Sequence, residues 1–450
     1  MPNSRQLAFL ALREINRRGA YTDIALNRIF AKNTCNGKDR SLTCELVYGI
    51  VRRQRTLDEL INQLGKKKAH QQPLDLRLIL HIGLYQLRYL DSIPPSAAVN
   101  TTVDLAKING LKRLSGVVNG ILRQYIRLSS QSNDILKLPN DTVEKLGILH
   151  SFPNWLIEMW LEQFGVEDTE KLCIYFNKPP SLDLRVNILK TSLDEVKSAL
   201  EAQGIDVSSI PPLPQALRLS GKVGAIDKLP GFQEGCWMIQ DSSAQLVSHL
   251  LNPQPNQTII DACGAPGGKT AHIAELMGDE GIIWSCDRYK SRLKKIEKNI
   301  QRLNLKSVKI LMGDSRELSQ FNNSADSVLL DVPCSGLGTL HKRPDIRWKQ
   351  TLNKIEELSI LQSQLLQQTA HWVKSKGTLV YATCTINPRE NEDIIKTFLE
   401  KNPSWKIITP SFPWMDIYTT KGGWLKILPH SHNMDGFFMV KLQKDGKKNE

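Results

Sequence analysis

Two cysteines lie at positions where a thiol can act as a nucleophile. In VYATCTINPRENED, residues 380–393, an apolar strand runs into a polar turn and an acidic helix start, and Cys384 lies where the strand ends. Cys334 occupies a similar place in DVPCSG, three residues after Asp331. Buried strands favour cysteine as a small hydrophobe, but ligands bind at the mouths of such turns. Both positions therefore favour function over simple packing.

A thiol pair beside a carboxylate suits methyl transfer to carbon 5 of a pyrimidine. That carbon is a poor nucleophile until a thiolate adds to carbon 6, which breaks the conjugation of the ring and activates carbon 5. A carboxylic group near N3 stabilises the charge of the adduct. A base must then remove the carbon-5 proton so that the thiol can leave. One cysteine that attacks and a second polar group that assists release meet these demands.

A glycine-rich turn, DACGAPGGKT at residues 261–270, separates a buried strand from a helix. Such a turn lets the backbone approach a ligand and points the N–H groups of the helix at it. Its spacing fits neither the G-x-G-x-x-G pattern nor a P-loop, which weakens the dinucleotide and ATP interpretations. The turn therefore predicts a different kind of ligand.

Two acidic residues at later strand ends complete the predicted pocket. Asp287 ends the second strand, 19 residues after Gly268, where an acid commonly holds a ribose diol. Asp314 ends the third strand in MGDS, placed to face an adenine edge. Either acid alone could be a helix cap. Together they outline a nucleoside pocket without phosphate chemistry, which suits S-adenosylmethionine.

The elements that position these residues alternate between strand and helix from Cys236 onward. TIIDACGA, GIIWSCD, VKILMGD, ADSVLLDVP and GTLVYATC read as strands, each followed by a turn or helix, and GFFMVKL reads as a late strand. This order predicts a doubly wound parallel sheet that binds ligands at the carboxyl ends of its strands. In the usual strand order the fourth and fifth strand ends are neighbours, so both thiols and Asp331 should converge beside the cofactor pocket.

The rest of the chain predicts two further domains. Residues 1–127 read as consecutive amphipathic helices, the first of which stops at Gly19, so this part is all-α. Residues 154–235 mix a helix with short strands and proline-rich joins, which is typical of a small α+β domain. The predicted boundaries are 1–145 for the helical domain, 146–235 for the α+β linker domain, 236–443 for the sheet domain and 444–450 for a disordered tail.

Charge is concentrated in the N-terminal third. Residues 1–150 carry 23 Lys and Arg against 12 Asp and Glu, a net of +11, whereas the whole chain is +13. The remaining 300 residues therefore contribute only +2. A basic module joined to a nearly neutral remainder favours binding of a polyanion. The alternative is a basic surface that serves solubility.

Composition excludes several classes of protein. The chain of 450 residues is 41% hydrophobic and 23% charged, as in soluble globular proteins, and no apolar run approaches the length of a membrane span. The N-terminal stretch predicts a helix, not a signal peptide. The eight cysteines include no C-x-x-C pair, which predicts reduced thiols in the cytoplasm. Neither these cysteines nor the close pair His430 and His432 predicts a metal site. Simple burial is expected of Cys173, Cys263 and Cys286.

Four motifs in one order, DACGAPGGKT, DVPCSG, RPDIRW and YATCT, resemble those of the RNA cytosine-5 methyltransferases. The helical N-terminal part, with DRSLTCELVYGIVRR, is similar to the NusB-like first domain of the ribosomal RNA small subunit methyltransferase B type. The resemblance covers essentially the whole chain. It implies an all-α NusB-like domain, a small α+β linker domain and a Rossmann-like class I methyltransferase domain.

The resemblance also implies roles for individual residues. Cys384 would be the nucleophile, Cys334 would act in product release, and Asp331 would belong to both the catalytic and the cofactor sites. Arg185 and Asn187, in LRVN, fall in the motif that opens the catalytic region. Gly264 and Val332 depart from the family, which usually has alanine at both positions; these small apolar changes put little in doubt. The implied contacts to S-adenosylmethionine are Cys263, Gly264, Ala265, Pro266, Gly267, Gly268, Lys269, Asp287, Asp314 and Asp331.

The sequence thus predicts a cytosine-5 methyltransferase of 16S ribosomal RNA that works by a covalent cysteine adduct on an extruded base. Its expected partner is free or early-assembly small-subunit RNA, bound by a monomer in the cytoplasm without a metal or a membrane. Two alternatives remain. One is the same chemistry on transfer RNA, and the other is a non-catalytic RNA-binding factor related to antitermination proteins.

Overall fold

The structure is a computed structural model that describes residues 3–132, 134–221, 223–410 and 412–446. The chain forms two compact units, each discontinuous in sequence. Unit 1 comprises Met1–Lys178 with Leu340–Lys349, and unit 2 comprises Pro179–Thr339 with Gln350–Glu450. Residues 447–450 of the predicted tail lie outside the described residues.

The described part of unit 1 is helical. The sequence predicts helices over residues 1–127 and ends the helical domain at residue 145, whereas the helices Thr142–His150 and Asn154–Phe176 also belong to unit 1. The first helix begins where the Asn3 side chain accepts a hydrogen bond from the backbone N–H of Gln6, and it ends at Gly19, whose φ of 63° suits glycine. The fourth helix is buried along most of its length, as its apolar sequence predicts. The helices are α1 Ser4–Arg18, α2 Thr22–Lys32, α3 Gly37–Leu64, α4 Leu74–Tyr89, α5 Pro95–Ile108, α6 Ser115–Ser129, α7 Thr142–His150, α8 Asn154–Phe176 and, from the later segment, α13 Ile346–Lys349.

The segment Leu340–Lys349 is an integral part of unit 1 although it comes from the middle of the later sequence. Arg347 is fully buried and donates hydrogen bonds of 3.1–3.3 Å to three backbone carbonyls and to the side chain of Asn177. The indole N–H of Trp348 donates to the carbonyl of Val51 at 2.7 Å. Asp345 accepts a hydrogen bond from the backbone N–H of Thr22 at 2.8 Å. The segment therefore satisfies backbone groups that the earlier helices leave open. The carbonyls bound by Arg347 belong to Arg52, Ser151 and Phe176.

Unit 2 begins with a four-stranded antiparallel sheet in the order β2-β3-β1-β4. The sequence predicts only two of these strands. The last strand pairs with β1 through Arg185 and Met238, so this sheet extends beyond the predicted boundary at residue 235. The elements are β1 Leu182–Val186, α9 Leu193–Glu201, β2 Asp206–Ser209, β3 Ala216–Ser220 and β4 Trp237–Ile239.

The larger sheet of unit 2 has the strand order β10-β12-β9-β8-β5-β6-β7, with β11 paired to β12. The pairs from β9 to β7 are parallel, whereas β10, β11 and β12 pair antiparallel. The predicted parallel sheet is thus confirmed over five strands, and an antiparallel edge is added to it. The strands are β5 Thr258–Asp261, β6 Ile282–Asp287, β7 Val308–Met312, β8 Ala325–Asp331, β9 Val373–Thr383, β10 Trp405–Ile407, β11 Leu425–Ile427 and β12 Phe437–Lys444.

Helices cover both faces of this sheet. Consecutive strand residues point to opposite sides, so they pack into two different cores. Ile259 belongs to a core formed with α10 and α11, whereas Ile260 belongs to a core formed with α14 and α15. The helices are α10 Ser242–Leu251, α11 Gly268–Leu276, α12 Lys290–Leu303, α14 Leu352–Ala370, α15 Glu392–Lys401 and α16 Pro429–His432. Among the described residues, none of the helices has the length and apolar character needed to cross a membrane.

Candidate active site

The Cys334 and Cys384 side chains meet at the carboxyl edge of the larger sheet. Strands β8 and β9 are parallel neighbours that place Asp331 opposite Ala382, and each cysteine follows one of these strand ends. The two Sγ atoms lie 3.3 Å apart, and both residues are partly buried. This geometry confirms that the fourth and fifth strand ends bring the two thiols together.

The environment of Cys334 keeps its thiol protonated. Its hydrogen bond with Cys384, reinforced by burial, raises the pKa of Cys334 well above the usual range. A protonated Cys334 can donate its S–H to the sulfur of Cys384. The pair therefore holds two sulfur atoms at hydrogen-bonding distance, and either of them can be the donor.

Asp331 and Lys269 form an ion pair next to the thiols. Lys269 Nζ lies 2.6 Å from Asp331 Oδ2, and the ammonium group lies 5.2 Å from the centre of the Phe437 ring. Burial alone would lower the pKa of Lys269, but Asp331, Cys384 and Asp261 raise it on balance. Lys269 therefore stays charged and fixes the Asp331 carboxyl at the end of β8.

The glycine turn between β5 and α11 is held tightly from both sides. Gly267 has a φ of 100°, and a Cβ on it would lie 3.2 Å from the Cα of Ile296. A Cβ on Gly264 would collide with Ser285 Oγ. An alanine at position 264 would therefore require the hydroxyl of Ser285 to move. Arg292 and Asn299 of α12 donate hydrogen bonds of 2.9 Å to the carbonyls of the turn.

A cavity of about 170 Å³ opens above this turn. Seven of the predicted cofactor residues line it: Cys263, Gly264, Ala265, Pro266, Gly268, Lys269 and Asp331. The other lining residues are Met238, Ile239, Gln240, Ala244 and Asp261. Residues of β4 and its following turn therefore contribute to a site that the sequence predicts from the larger sheet alone. A separate cavity of about 790 Å³, between α14 and α15, contains none of the predicted site residues.

Asp261 has the chemistry of a ligand-binding group that the sequence does not single out. One carboxylate oxygen accepts a hydrogen bond from Thr270 Oγ1 at 2.6 Å, while Oδ1 is buried without a hydrogen-bond partner among the described residues. Burial raises the pKa of Asp261 to about 7. A buried polar atom without a partner is costly, so an oxygen in the wall of a cavity is suited to receive a donor from a ligand.

Asp287, Asp314 and Gly267 are not among the residues that line the cavity. The Asp287 carboxylate accepts a hydrogen bond from the backbone of Tyr289 at 2.9 Å and lies 3.2 Å from Arg292. Asp314 is held by Arg316 at 2.7 Å, and this hydrogen bond lowers the pKa of Asp314. Both acids lie at the predicted strand ends, where partly exposed arginines hold them.

Cys263 differs from the expectation of simple burial. It is partly exposed at the cavity wall, whereas Cys173 and Cys286 are buried as predicted. Burial of the thiol group, reinforced by Asp261, raises the pKa of Cys263 well above its usual value. Cys263 therefore forms part of the cavity wall as a neutral thiol.

Arg185 connects the small sheet to the glycine turn. This fully buried guanidinium donates to both oxygens of Glu275 at 2.7 and 2.9 Å. It also donates to the carbonyl of Gly268 at 2.7 Å and to the side chain of Gln240. One residue thus orients a glycine of the turn and a wall of the cavity. Asn187, two residues later, instead donates to the carbonyl of Gly235 at 3.1 Å and so holds the loop before β4.

Glu390 connects the two cysteine-bearing turns and is another group that the sequence does not single out. It is fully buried, and its carboxyl oxygens lie 2.8 Å from the backbone nitrogen of Ser335 and 2.5 Å from Ser335 Oγ. Ser335 Oγ in turn lies 2.9 Å from Thr385 Oγ1. Gln362 donates to Glu390 at 3.0 Å and to the carbonyl of Pro333 at 2.9 Å. The residues that follow Cys334 and Cys384 are therefore held by one buried network.

Comparison with known proteins agrees with this arrangement. Residues 248–443 match the family model "16S rRNA methyltransferase RsmB/F", residues 2–127 match the NusB family, and residues 152–225 match the ferredoxin-like domain of RsmF/B-like methyltransferases. The chain is similar to the probable ribosomal RNA small subunit methyltransferase B of Synechocystis sp., with 53% identity over 99% of this chain and 100% of the relative. The corresponding Bacillus subtilis protein is 34% identical over 98% and 99% of the two chains.

Two solved structures are similar in fold. PH0851 has a TM-score of 0.81 and 29% identity, with 99% of each chain covered. NSun6 from Pyrococcus horikoshii, solved with SFG, has a TM-score of 0.60 and 26% identity, and covers 67% of this chain and all of that one. The fold and these matches define a ribosomal RNA methyltransferase with an N-terminal NusB domain. Within that class, the chain belongs to the ribosomal RNA small subunit methyltransferase B family.

Proposed function

We propose that this methyltransferase modifies carbon 5 of a cytidine in 16S ribosomal RNA, using S-adenosylmethionine and a covalent adduct with Cys384. The observation that carries the proposal is the contact of the Cys384 and Cys334 thiols, 3.3 Å apart, next to the Lys269–Asp331 ion pair. Thiol addition to carbon 6 is the step that makes carbon 5 of cytosine reactive. A methyltransferase that acts on a nitrogen or a ribose oxygen has no need for such a thiol.

The cavity above the glycine turn supports S-adenosylmethionine as the methyl donor, which supplies an electrophilic methyl group when bound. The unpartnered Asp261 Oδ1 provides an acceptor for a polar group of the ligand, and the turn from Cys263 to Lys269 provides close backbone approach. A volume of about 170 Å³ is smaller than most ligand pockets, which exceed about 300 Å³. The nucleoside part would extend along the strand ends to Asp287 and Asp314, whose arginine partners are exposed enough to move aside.

The side chains at the carboxyl edge divide the reaction between them. The sulfur of Cys384 forms a bond to carbon 6 while its proton passes to N3, and the Asp331 carboxylate, which Lys269 holds in place, accepts a hydrogen bond from the protonated N3. Carbon 5 then takes the methyl group as the bond between that group and the sulfur of the donor breaks, and the demethylated donor leaves. Loss of the carbon-5 proton to a base restores the ring and breaks the bond to Cys384, a step that the protonated Cys334 would assist.

The substrate proposal is tested with the full-length protein and three RNAs: free 16S ribosomal RNA, assembled small subunits and transfer RNA. Methylated cytosines are mapped by bisulfite sequencing, and the modified nucleoside is identified by mass spectrometry. We expect 5-methylcytidine at one position of 16S ribosomal RNA, with free RNA preferred over assembled subunits. Methylation of transfer RNA alone would show that transfer RNA, and not 16S ribosomal RNA, is the substrate. RNA binding without methyl transfer would favour the non-catalytic alternative.

The basic N-terminal part supports binding of the RNA backbone. Residues 1–150 carry a net charge of +11, and phosphate contacts are the main source of affinity for nucleic acids. RNA binding by the full-length protein should therefore weaken steeply as salt is added.

Light scattering at working concentration checks the proposed monomer: a mass near 50.8 kDa agrees with it, and twice that mass contradicts it.

A further inference from the structure

The near-neutral charge of the later sequence conceals a second basic region. Residues 288–309 contain nine Lys and Arg and one Glu, a net charge of +8 in 22 residues. The other residues after position 150 are therefore acidic overall, since together they must bring the total to +2. Unit 2 thus has its own local excess of positive charge, centred on α12.

The basic side chains of α12 lie on its outer face. Leu293 and Ile296 are buried, whereas Lys290, Lys294 and Lys298 are exposed, as is the neighbouring Lys295. No ion pair joins these four ammonium groups to a carboxylate within the described part of the chain. Lys290, Lys294 and Lys298 follow one another at intervals of four residues, or about 6 Å along the helix axis.

This arrangement is unfavourable for the helix itself. Like charges four residues apart on a helix repel each other, and Lys290 to Lys298 contain two such pairs. The first turn contains Lys290 and Arg292 and no acidic residue, although the helix dipole favours negative charge there. Because the row of lysines weakens the helix without a compensating ion pair, folding alone does not account for it.

The inner face of α12 holds the cofactor turn. Arg292 and Asn299 donate to the carbonyls of Ala265 and Pro266, so the lysine row lies one helix diameter, about 10 Å, from the turn. A groove of about 610 Å³ runs between the outer face and the edge strand β7, and its charged lining residues are Lys294, Lys298 and one acid, Glu297. Gln301 and Asn304 in the same groove offer amide donors.

An exposed aromatic ring lies at the start of the lysine row. Tyr289 directly precedes α12 and is 54% exposed, and the Arg288 guanidinium lies 5.7 Å from the centre of its ring. Aromatic rings next to rows of cations are typical of surfaces that bind single-stranded nucleic acids, since bases stack on the ring while phosphates contact the cations.

We propose that the outer face of α12, with Tyr289 at one end, binds the sugar–phosphate backbone of the RNA substrate beside the target nucleotide. The inference deepens the proposed function, because the polyanion is taken to be the same RNA that is methylated. Unit 2 then grips the RNA next to its own chemistry, in addition to the contacts expected of the N-terminal helices. Ammonium groups at regular intervals match the repeating charge of a phosphodiester chain.

The test compares two pairs of lysines in the full-length protein. Lys294→Gln with Lys298→Gln removes two cations from the row on α12. Lys396→Gln with Lys401→Gln removes two exposed cations from α15 of the same unit and serves as the control. RNA affinity is measured as a function of salt by fluorescence anisotropy, and methyl transfer is measured separately as kcat and KM for RNA.

We expect the α12 pair to raise the Kd and KM for RNA about tenfold at low salt and to reduce the slope of log affinity against log salt by about 1.5, as for two lost phosphate contacts. Its kcat at saturating RNA should stay near that of the wild type, and its Tm should be equal or higher because repulsion is relieved. The control pair should leave all five quantities near their wild-type values.

Equal affinity and salt slope for the α12 pair and the wild type would overturn the inference. Equal losses in the α12 pair and the control pair would also overturn it, because net charge would then be responsible. Failure of the proposed function gives a different result: the wild-type protein binds RNA without methylating it, and the effect of the α12 pair on binding is still measurable.

Discussion

The two halves of the carboxyl edge hold their polar groups in opposite ways. At the ends of β8 and β9, buried hydrogen bonds among Glu390, Ser335 and Gln362 fix the turns that bear the cysteines. At the ends of β6 and β7, arginines that are one-third to two-thirds exposed hold the carboxylates of Asp287 and Asp314. Ion pairs with exposed partners contribute little stability, and their partners move easily.

The difference suggests a division of labour. A covalent step needs the attacking sulfur held within a fraction of an ångström of its productive position, and a buried hydrogen-bond network around its turn supplies that constraint. A nucleoside must enter and leave in every turnover, so the acids expected to hold it are paired with side chains that water can replace. Four predictions test this comparison.

The largest effect is expected from the two cysteines that follow β8 and β9. Cys384→Ala should abolish methyl transfer and should form no covalent complex, because the attacking sulfur is missing. Cys334→Ala should still attack and transfer the methyl group but release its product poorly, so that protein and RNA stay linked. A denaturing gel of each variant with RNA and S-adenosylmethionine separates these outcomes.

The reverse pattern, a shifted band with the Cys384 variant alone, would exchange the two roles. If both variants keep their activity and neither is linked to RNA, then the thiol mechanism is wrong. The wild-type protein is the control for both gels, since it should turn over without accumulating the complex.

The next largest effect is expected at Glu390, which contacts no reacting atom and acts by positioning. Glu390→Ala should lower kcat about 100-fold, as a displacement of about 1 Å at a reacting group does. Burial raises the pKa of Glu390, and Gln imitates a protonated Glu in both its donor and its acceptor. Glu390→Gln should therefore keep most of the activity. A KM for RNA that rises in the alanine variant while kcat is unchanged would contradict the positioning role.

A smaller effect is expected at the ends of β6 and β7, where partly exposed arginines hold the carboxylates. Asp287→Ala should weaken S-adenosylmethionine binding by roughly ten- to a hundredfold, the usual range for a lost hydrogen bond to a charged group. The fold should be kept, because the arginine partner of Asp287 is about half exposed. Titration calorimetry gives the affinity, with circular dichroism as the control for folding. Unchanged affinity would remove Asp287 from the ribose site.

The smallest effect is an effect on stability, and it is expected at Asp261, on the central strand between the halves. Its pKa is raised to about 7, so the native state holds a proton that the unfolded state loses near pH 4. Its contribution to stability is complete below about pH 4 and is lost as the pH rises to about 7, by at most about 1.4 kcal/mol per pH unit. Urea unfolding between pH 5 and 8 should show less pH dependence in Asp261→Asn than in the wild type. Equal slopes would contradict this account.

The sequence predicts the cysteine pair well, and the reason is topological. Sequential strands of a parallel sheet leave their ligand-binding residues on one edge, so Cys334 and Cys384 could be placed together from strand order alone. The glycine turn is predictable for the same reason. Seven of the predicted cofactor residues line the cavity.

The other parts of the site depend on contacts without a periodic signal. Strand β4 has only three residues, too few for an alternating pattern, so its pairing with β1 and the place of Gln240 in the cavity wall were missed. The hydrogen bonds between the Glu390 carboxyl and Ser335 depend on the conformation of a short turn, which no sequence pattern predicts. The basic row on α12 was visible in the sequence, but a net charge summed over 300 residues concealed it.

The discontinuity of unit 1 has a consequence for synthesis of the protein on the ribosome. Helices α1 to α8 are complete when residue 178 emerges, but the partners of the carbonyls of Val51, Arg52 and Ser151 come from Arg347 and Trp348. At about 5–20 residues per second, the segment arrives roughly ten to thirty seconds later. During that interval unit 1 lacks its last segment, so a nascent chain or a fragment that stops near residue 150 is an incomplete folding unit.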